Sequence, residues 1–478
     1  MNYTYIKLNT LSGNLFSIFT GITLMLLLVS ASGNTVKAQT ISHFAGNGIS
    51  RGDNGPASAA KLYLPTKVRS DMKGNVYILD ASNNRLRKVD TAGIITTYAG
   101  SGASTHTGDG GPAISAGLGN LQSINVDNTG NIYIGQSGVV YYNFDTIRGY
   151  YGSAQSWVRM INTAGIIVTV AGTGDYGVDS GDGGPATAAR FQQISDVVPD
   201  NHGNIYVVNN LSNSIRKINS AGIITHIAGN GYSLSNGDGG PASSAGLAGP
   251  NSLKIDAAGN IYIVESSGNR IRKINTAGII TTIAGNGAHN FYGDGGPANA
   301  SELANPTDLT IDTSGNIFIA DNDNYVVRMI NTAGIINTVA GIGIPGTIGD
   351  GGSAVDAEFR SLTGIEIDRS GNTYISDNKA QNVRKIAPWV TAGVKSIQGV
   401  ESIEILPQPN NGRFCINISS SMNIPVQIKI SDITGRNIKE LIATTNNKVD
   451  IVLNVSPGIY FVTTITEQGK QTAKIVVE

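Results

Sequence analysis

Two residue types of opposite charge recur in fixed register along this chain of 478 residues. An aspartate stands six times inside a Gly-Asp-x-Gly motif, and an arginine recurs as often further along. The aspartates are Asp53, Asp109, Asp182, Asp238, Asp294 and Asp350, and the arginines are Arg87, Arg159, Arg216, Arg272, Arg328 and Arg384. Six carboxylates could bind a cation or a polar ligand. Because each has an arginine to match it, we favour the alternative, six structural ion pairs of bidentate geometry.

A second candidate site is an aromatic cluster found in one repeat only. Gly130 and Arg159 are separated by 29 positions, whereas the matching Gly259 and Arg272 are separated by 13. The extra residues and the tryptophan that ends them are candidate ligand-binding residues: Tyr141, Tyr142, Phe144, Tyr150, Tyr151 and Trp157. Such rings suit the flat faces of sugars or a protein partner. Alternatively, they pack against one another to order a long loop.

Catalytic chemistry has little support in the sequence. A metal-dependent hydrolase or lyase needs His, Asp or Glu ligands that converge on one point. The five histidines are dispersed, and no Ser-His-Asp or nucleophile-elbow pattern is present. We therefore expect no catalytic residue, no metal and no cofactor.

The candidate residues belong to an internal repeat. The segment Asp-x-x-Gly-Asn occurs six times, at spacings of 56, 73, 56, 56 and 56 residues, and each Gly-Asp-x-Gly aspartate precedes its glycine by 21 residues. The glycines are Gly74, Gly130, Gly203, Gly259, Gly315 and Gly371. A fixed period of this length is typical of a repeat architecture.

One repeat contains four short strands. Residues 253–256, 261–264, 271–274 and 279–284 are apolar runs separated by turn sequences with Asp, Asn and Gly. Several of these runs are apolar on both faces, which indicates a sheet packed between two neighbours. We therefore predict an all-β fold, a six-bladed β-propeller with four-stranded blades.

The ends of the repeat region predict how the ring closes. The first copy has only its last strand, at Ile41–Gly46, and the last copy stops after Val383–Ile386 without that strand. The N-terminal strand should therefore complete the sixth blade and leave no open sheet edge.

In a propeller, the loops that join blades share a face with the loops between the second and third strands. The six aspartates should therefore crowd one rim as a ring of carboxylates, and the aromatic insert should project from the same face.

These residues resemble the NHL-repeat family of propellers. The resemblance covers residues 41–386 and is carried by Gly259–Ile263, Asn269–Ile274 and the Gly-Asp-Gly-Gly-Pro-Ala loop at Gly237–Ala242, with their equivalents. It implies the propeller fold and a habit of binding, but members include enzymes, sensors and interaction modules.

The last 78 residues follow a different pattern. Alternating strands, such as Phe414/Ile416/Ile418 and Val426/Ile428/Ile430, predict a small Ig-like β-sandwich. Four segments, 407–414, 432–436, 458–462 and 469–477, resemble the C-terminal sorting domain of the type IX secretion system. The resemblance implies export by that machinery, followed by release or attachment at the outer-membrane surface.

The N-terminus predicts an export signal. Lys7 precedes the apolar stretch Leu15–Ala31, and Ala38-Gln39 is a plausible cleavage region. We therefore divide the chain into a signal peptide (1–39), a six-bladed propeller (40–388), a linker (389–400) and a sorting domain (401–478), with no integral membrane segment once the signal is removed.

The composition narrows the class of partner. Charged residues make up 14%, the formal net charge is −1, and no basic run is present, so nucleic acid is not an expected partner. We predict a monomeric, secreted or surface-displayed binding module for an unknown carbohydrate or protein ligand, without enzyme activity. The alternative is a metal-dependent propeller lyase or a lactonase-type hydrolase.

Overall fold

The computed structural model describes residues 39–48, 51–138, 141–145, 149–388, 402–406, 412–419, 423–432, 436–466 and 469–477. All of the predicted signal peptide except Gln39, and all of the predicted linker 389–400, lie outside the described residues. The side chains of residues 139–153 also lie outside the described part of the structure.

Six antiparallel sheets form the blades, each with four strands in order from the axis outwards, and the sheet of blade 1 has a fifth, two-residue strand at its outer edge. Blade 1 consists of Pro65–Ser70, Val76–Asp80, Arg85–Val89 and Ile94–Ala99; blade 2 of Leu121–Val126, Ile132–Ser137, Ser156–Ile161 and Ile167–Ala171; blade 3 of Ile194–Pro199, Ile205–Asn209, Ser214–Ile218 and Ile224–Ala228. Blade 4 consists of Pro250–Ile255, Ile261–Glu265, Arg270–Ile274 and Ile280–Ala284; blade 5 of Pro306–Ile311, Ile317–Asp321, Val326–Ile330 and Ile336–Ala340; blade 6 of Leu362–Ile367, Thr373–Asp377, Asn382–Ile386 and Ile41–Gly46. The first strands contact one another in a closed ring, so the predicted propeller is confirmed.

The ring closes through the N-terminal strand, as predicted. Ile41 pairs with Ile386 and Gly46 with Asn382 in an antiparallel register. Ile41 is fully buried, and the Phe44 ring meets the Tyr374 ring edge-on at a centroid distance of 4.8 Å. The outermost position of blade 6 is thus occupied by a strand distant in sequence: His43 pairs with Arg384, 341 positions away.

Each blade is followed by a long loop that leads to the axis of the next blade. These inter-blade loops each contain a 3₁₀ turn, at Ala57–Ala59, Ala113–Ser115, Ala186–Ala188, Ala242–Ser244, Ala298–Ala300 and Ala354–Asp356. Short strands at Gly55–Pro56, His106–Thr107 and Gly117–Leu118 lie in the first two.

The inter-blade loops contact the loops between second and third strands, two of which contain 3₁₀ turns at Ala81–Asn83 and Asn322–Asn324. Asp179, for example, accepts hydrogen bonds from Asn209 and Ser212, and His289 contacts Asp323. We call the face that these two sets of loops form the loop face. The opposite face, with the Asp-x-x-Gly-Asn turns, is called the turn face.

The core lies between the blades. Val208 and Ile215 of blade 3, for instance, share a buried cluster with Leu253 and Ile263 of blade 4. Because both faces of every blade are covered, the strands are apolar on both sides, which explains the near-continuous apolar runs in the repeat.

The C-terminal region forms two antiparallel sheets of three and four strands around one core. The three-stranded sheet contains Ser402–Leu406, Arg413–Ser419 and Lys448–Val452; the four-stranded sheet contains Asn437–Thr444, Pro425–Asp432, Gly458–Thr466 and Gly469–Val477. The alternating residues Phe414, Ile416 and Ile418 are buried in this core, as their spacing predicts.

Ring closure gives a first testable prediction. Truncating Ile41 to Ala should lower the free energy of unfolding by about 2–5 kcal/mol, because a fully buried side chain in a packed sheet leaves a cavity. Chemical denaturation of the purified chain measures the change. The neighbouring Ser42 is exposed, so Ser42→Ala is the matched control and should change stability by less than about 0.5 kcal/mol. Equal effects of the two substitutions would contradict the structural role of the closing strand.

Candidate functional site

Each of the six repeated arginines forms an ion pair inside its own blade. The arginine is the third residue of the third strand in five blades and the fourth in blade 2, and its side chain is at most 1% exposed. Its partner is the Gly-Asp-x-Gly aspartate of the loop that leads into the same blade. The N–O distances are 2.7 Å for Arg87–Asp53, 2.5 Å for Arg159–Asp109, 3.0 Å for Arg216–Asp182, 2.5 Å for Arg272–Asp238, 2.7 Å for Arg328–Asp294 and 2.8 Å for Arg384–Asp350. The pairing proposed from sequence is therefore present at all six positions.

The same guanidinium groups also donate hydrogen bonds to backbone carbonyl oxygens of the inter-blade loops. Arg272 donates to the carbonyl oxygens of Asn236 at 2.9 Å and Gly246 at 3.3 Å. Arg328 and Arg384 make the equivalent pair of bonds to their own loops. Burial removes the guanidinium from water, so its donors must be satisfied by protein acceptors. One buried side chain thus fixes two points of a loop that has little regular structure of its own.

The aspartates do not gather at one rim, contrary to the expectation from sequence. Each Gly-Asp-x-Gly segment lies along the outermost strand of its blade: Gly55 pairs with Ile95, and Asp53 accepts a hydrogen bond from Thr97. The prolines that follow pair with the same strand in the next four blades. The six carboxylates are therefore spread around the perimeter, one to a blade. The expectation placed the whole inter-blade loop on the face of the loops between second and third strands, whereas this part of the loop runs along the outer edge of the blade.

The electrostatic state of these aspartates agrees with a structural role. Hydrogen bonds from Thr282 and Arg272, together with the charge of Arg272, lower the pKa of Asp238 although its partial burial acts in the opposite direction. Thr169 and Arg159 lower the pKa of Asp109 in the same way. Both carboxylates are committed to contacts within their own blade.

A second set of polar groups, which sequence reasoning missed, contacts the arginine in blades 1, 2, 4 and 5. Its members are the last residue, or the last but one, of each second strand, and all six are buried. The set consists of Asp80, Gln136, Asn209, Glu265, Asp321 and Asp377. Glu265 lies 3.0 Å from Arg272, and Asp321 lies 3.5 Å from Arg328. A polar residue seven positions before the arginine in five of the six repeats was the available signal.

Burial has the largest effect on the pKa values of the acidic residues in this second set. It raises the pKa values of Asp80, Glu265 and Asp377, and it raises the pKa of Asp321 from its ordinary value of 3.8 to about 6. The nearby arginine only partly offsets the loss of water. Asp321 also accepts hydrogen bonds from the backbone N–H of Ala304 and the side chain of Asn324, so it anchors two loops.

A third polar group, also missed, lies at the axis. All six blades contribute to it through the third or fifth residue of the first strand. Arg69 donates to both carboxylate oxygens of Asp308, and Lys67 lies 3.3 Å from the same carboxylate. The remaining members are Asn125, Asp196, Ser252, Lys254 and Glu366, linked by hydrogen bonds and by a 3.0 Å ion pair between Lys254 and Glu366.

The axial network is electrically balanced and largely dry. Three cationic and three anionic side chains take part, and Lys67, Arg69 and Asp308 are at most 4% exposed. The charges of Arg69 and Lys67 lower the pKa of Asp308 despite its burial, whereas burial lowers the pKa of Lys67. Ion-paired side chains thus fill the axis and bind the blades together.

The aromatic insert is a β-hairpin. Its strands Tyr141–Asp145 and Gly149–Ser153 pair with each other, between the second and third strands of blade 2. The side chains of Tyr141, Tyr142, Phe144, Tyr150 and Tyr151 lie outside the described residues. Trp157 is described: its ring stacks on His106 at 4.1 Å, with a 12° angle between the planes, and it covers Gly174. The tryptophan therefore already has a ring partner within the protein.

The histidines are not assembled into a metal centre. His289 contacts Asp323 at 3.0 Å in an exposed pair on the loop face, and His106 is stacked on Trp157. Within the described ranges, no three His, Cys, Asp or Glu side chains are grouped closely enough to share a metal ion.

The buried arginines predict a large mutational effect. Replacing Arg272 by Met should lower the free energy of unfolding by about 3–5 kcal/mol, because Glu265 is left buried without its cation. Lys273→Met is the matched control, since methionine stands at this strand position in blades 2 and 5. Denaturant unfolding compares the two variants, and a loss below about 1 kcal/mol for Arg272→Met would contradict the structural role of the pair.

The raised pKa of Asp321 predicts a pH dependence. As the pH rises from about 4 to about 6, the unfolded chain releases this proton before the folded chain does, so the folded state loses stability. Asp321→Asn removes that loss, and asparagine already stands at the equivalent position in blade 3.

The stability of the variant relative to the parent should therefore improve across this window, by on the order of 1–3 kcal/mol, and stay constant above it. Urea unfolding at pH 4, 5, 6 and 7 measures the difference. A difference that does not change with pH, or that changes in the opposite sense, would show that Asp321 is ionised throughout.

Comparison with known proteins gives matches in both regions of the chain. Residues 404–478 match the secretion system C-terminal sorting domain, and residues 232–292 match the teneurin NHL domain. Mouse teneurin-4 is 26% identical over 317 residues, which cover 57% of this chain and 10% of that protein. Chicken teneurin-1 is 33% identical over 173 residues, 34% of this chain and 6% of that protein. The chain thus spans only a small part of the length of these relatives.

Solved structures from Bacteroides thetaiotaomicron share the fold. An auxiliary nutrient binding protein superposes with a TM-score of 0.52 at 13% identity, and a protein of unknown function with a TM-score of 0.51 at 18% identity. Each superposition covers 73% of this chain and 76% of the other. Across the residues that the structure describes, no helix has the length and apolar character needed to cross a membrane. The chain joins an NHL-type β-propeller to a type IX secretion sorting domain, which indicates export to the cell surface or the extracellular medium.

Proposed function

We propose that the propeller is a binding module, exported by the type IX machinery through residues 401–478, and that it binds a carbohydrate or protein ligand on its loop face. The observation that carries this proposal is the distribution of exposed apolar side chains. Ten large apolar side chains are exposed on the loop-face parts of the inter-blade loops: Tyr63, Leu64, Tyr176, Tyr232, Leu234, Phe291, Tyr292, Ile342, Ile344 and Ile348. The other exposed large apolar side chains of the described propeller residues are Met72 on the turn face and Ile114 and Val355 in the 3₁₀ turns of two inter-blade loops.

Exposed apolar surface on one face of a soluble protein is typical of an interaction site. Tyr232 is 74% exposed, Tyr292 68% and Ile348 65%, in the loops that lead into blades 4, 5 and 6. The backbone of these loops accepts hydrogen bonds from Arg272, Arg328 and Arg384. The position of their apolar residues is therefore fixed by the blade beneath. Preorganised loops on a rigid scaffold lose little entropy on binding.

The hairpin insert of blade 2 supports the same face. It replaces a short connection between second and third strands, and those connections belong to the loop face. Five near-identical blades offer five near-identical surfaces, so the blade that differs is the simplest source of specificity. We therefore include Tyr141, Tyr142, Phe144, Tyr150 and Tyr151 in the proposed binding surface, and Trp157 as its support.

Two variants test the proposal. Replacing Tyr141, Tyr142, Tyr150 and Tyr151 by Ala, or Tyr232, Tyr292 and Ile344 by Ser, should abolish retention on a glycan array or a peptide array while the melting temperature changes little. Each stacking or apolar contact is worth on the order of 1 kcal/mol, so several together reduce affinity by a factor of more than about 100. Thr313→Ala, in the exposed Asp-x-x-Gly-Asn turn of blade 5 on the turn face, is the control and should bind as the parent does.

Unchanged binding by both loop-face variants, with binding lost in the turn-face control, would overturn the assignment of the face. A fall in melting temperature without a change in binding would make the hairpin a packed loop rather than a ligand site.

A further inference from the structure

A polar pocket lies on the turn face, between blades 1 and 2. Its volume is about 270 Å³, and it lies on the opposite side of the propeller from the loop face. Blade 1 supplies the Asp-x-x-Gly-Asn turn at 71–75 and three side chains from its outer strands, and blade 2 supplies its own turn at 127–130. The lining side chains that matter for binding are Lys73, Tyr77, Lys88, Tyr98 and Asn128.

The two carboxylates in the wall are already committed. Asp71 accepts hydrogen bonds from the backbone of Lys73 and Asn75 and from the Asn75 amide and Tyr77 hydroxyl. Asp127 accepts the equivalent bonds in the turn of blade 2, and those bonds lower its pKa although its burial acts the other way. These acids therefore stabilise their own turns, and neither forms an ion pair with Lys73 or Lys88 within the described chain.

The ammonium groups of Lys73 and Lys88, in contrast, have N–H donors without a partner in the described chain. Lys217, Lys273 and Lys385 occupy the strand position of Lys88 in blades 3, 4 and 6, and each lies 5.2–5.6 Å above a tyrosine ring. Lys88 has the same register opposite Tyr77, yet its ammonium group forms no ion pair, hydrogen bond or ring contact with any residue that the structure describes. The ammonium group of Lys73 is also without such a partner.

Blade 1 differs from the other blades on the opposite wall as well. Tyr98 stands where the outer strands of blades 2 to 5 have Val170, Ile227, Ile283 and Val339 and that of blade 6 has Phe44, so blade 1 alone has a hydroxyl at this position. Its ring meets Tyr77 edge-on at 5.3 Å. Its hydroxyl makes no hydrogen bond within the described chain, and burial together with the charge of Asp71 raises its pKa, so it remains a donor at neutral pH. The side-chain amide of Asn128 is likewise without a partner in the described part of the chain.

We infer that this pocket binds one sugar ring that carries a carboxylate, a hexuronate unit of an acidic glycan. Two unpaired ammonium groups match a carboxylate, and hydrogen bonds to charged groups are the strong ones. The tyrosine hydroxyl and the asparagine amide match ring hydroxyls. The volume lies just below the range of pockets for drug-sized ligands, so a single ring fits and a longer chain must extend outwards. The site is independent of the loop face, because no residue is shared.

The test is isothermal titration of the purified chain with galacturonate and glucuronate, and with galactose and glucose as the neutral counterparts. A uronate should bind at least about tenfold more tightly than its neutral sugar, since the carboxylate contributes a charge-assisted contact. Lys88→Met should reduce uronate affinity by about tenfold or more. Methionine stands at this position in blades 2 and 5, so the variant should fold normally.

Two further variants, one control and one change within the pocket, separate this site from a general effect of charge. Lys217→Met removes the equivalent lysine of blade 3, which lies over Tyr206, and should leave uronate binding unchanged. Tyr98→Val, which restores the residue of blades 2 and 5, should weaken uronate binding while the melting temperature is kept. Equal affinity for uronate and neutral sugar, for uronate and acetate, or for the parent and Lys88→Met would each overturn the inference. Loss of loop-face binding in the earlier variants would leave this result unaffected.

Discussion

Each blade is organised around one guanidinium group that has no access to water. A buried charge is tolerated only when it is paired and its hydrogen bonds are satisfied. The two terminal amino groups of Arg272 are satisfied from three places: Asp238 of the preceding loop, two backbone carbonyls of that loop, and Glu265 at the end of the second strand. Its Nε alone has no hydrogen-bond partner within the described chain. The long inter-blade loops are therefore ordered by one interior contact more than by their own secondary structure.

This constraint explains the sequence of the loop as well as its shape. The aspartate must reach inwards while the backbone runs along the outermost strand, which requires a sharp change of direction. Gly237 takes φ of 82°, and a Cβ there would lie 2.8 Å from the Cα of Ala245. Only glycine meets both requirements, so the motif joins a conformational need to an electrostatic one.

The axial network, unlike the repeat, has different residues in different blades. Each of its side chains therefore finds its partners only when the blades stand in this order around the ring.

Residues that repeat could be predicted from the sequence, and residues that do not repeat could not. The four strands, the closing strand at Ile41–Gly46 and the pairing of Arg272 with Asp238 all follow from recurrence at a fixed period. The path of the Gly-Asp-x-Gly segment could not be predicted in this way, because a repeated sequence does not show in which direction a loop runs. Lys67, Asp196 and Ser252 occupy one strand position in three blades with different residue types, so a search for repeats passes over them. Lys88 is a further case: its strand position is repeated, and only its lack of a partner in the fold distinguishes it.

The closing strand also decides how the propeller responds to mechanical force. The segment that continues beyond Ala387 leaves from the third strand of blade 6, Asn382–Ile386, which lies between the second strand and the N-terminal strand. Tension applied from residue 387 onwards therefore acts along a strand held by hydrogen bonds on both sides. Such a geometry loads all of those bonds together in shear, whereas an edge strand would be peeled away one bond at a time. The order of strands in blade 6 thus makes the point of departure to the sorting domain one of the stronger positions at which to pull on the ring.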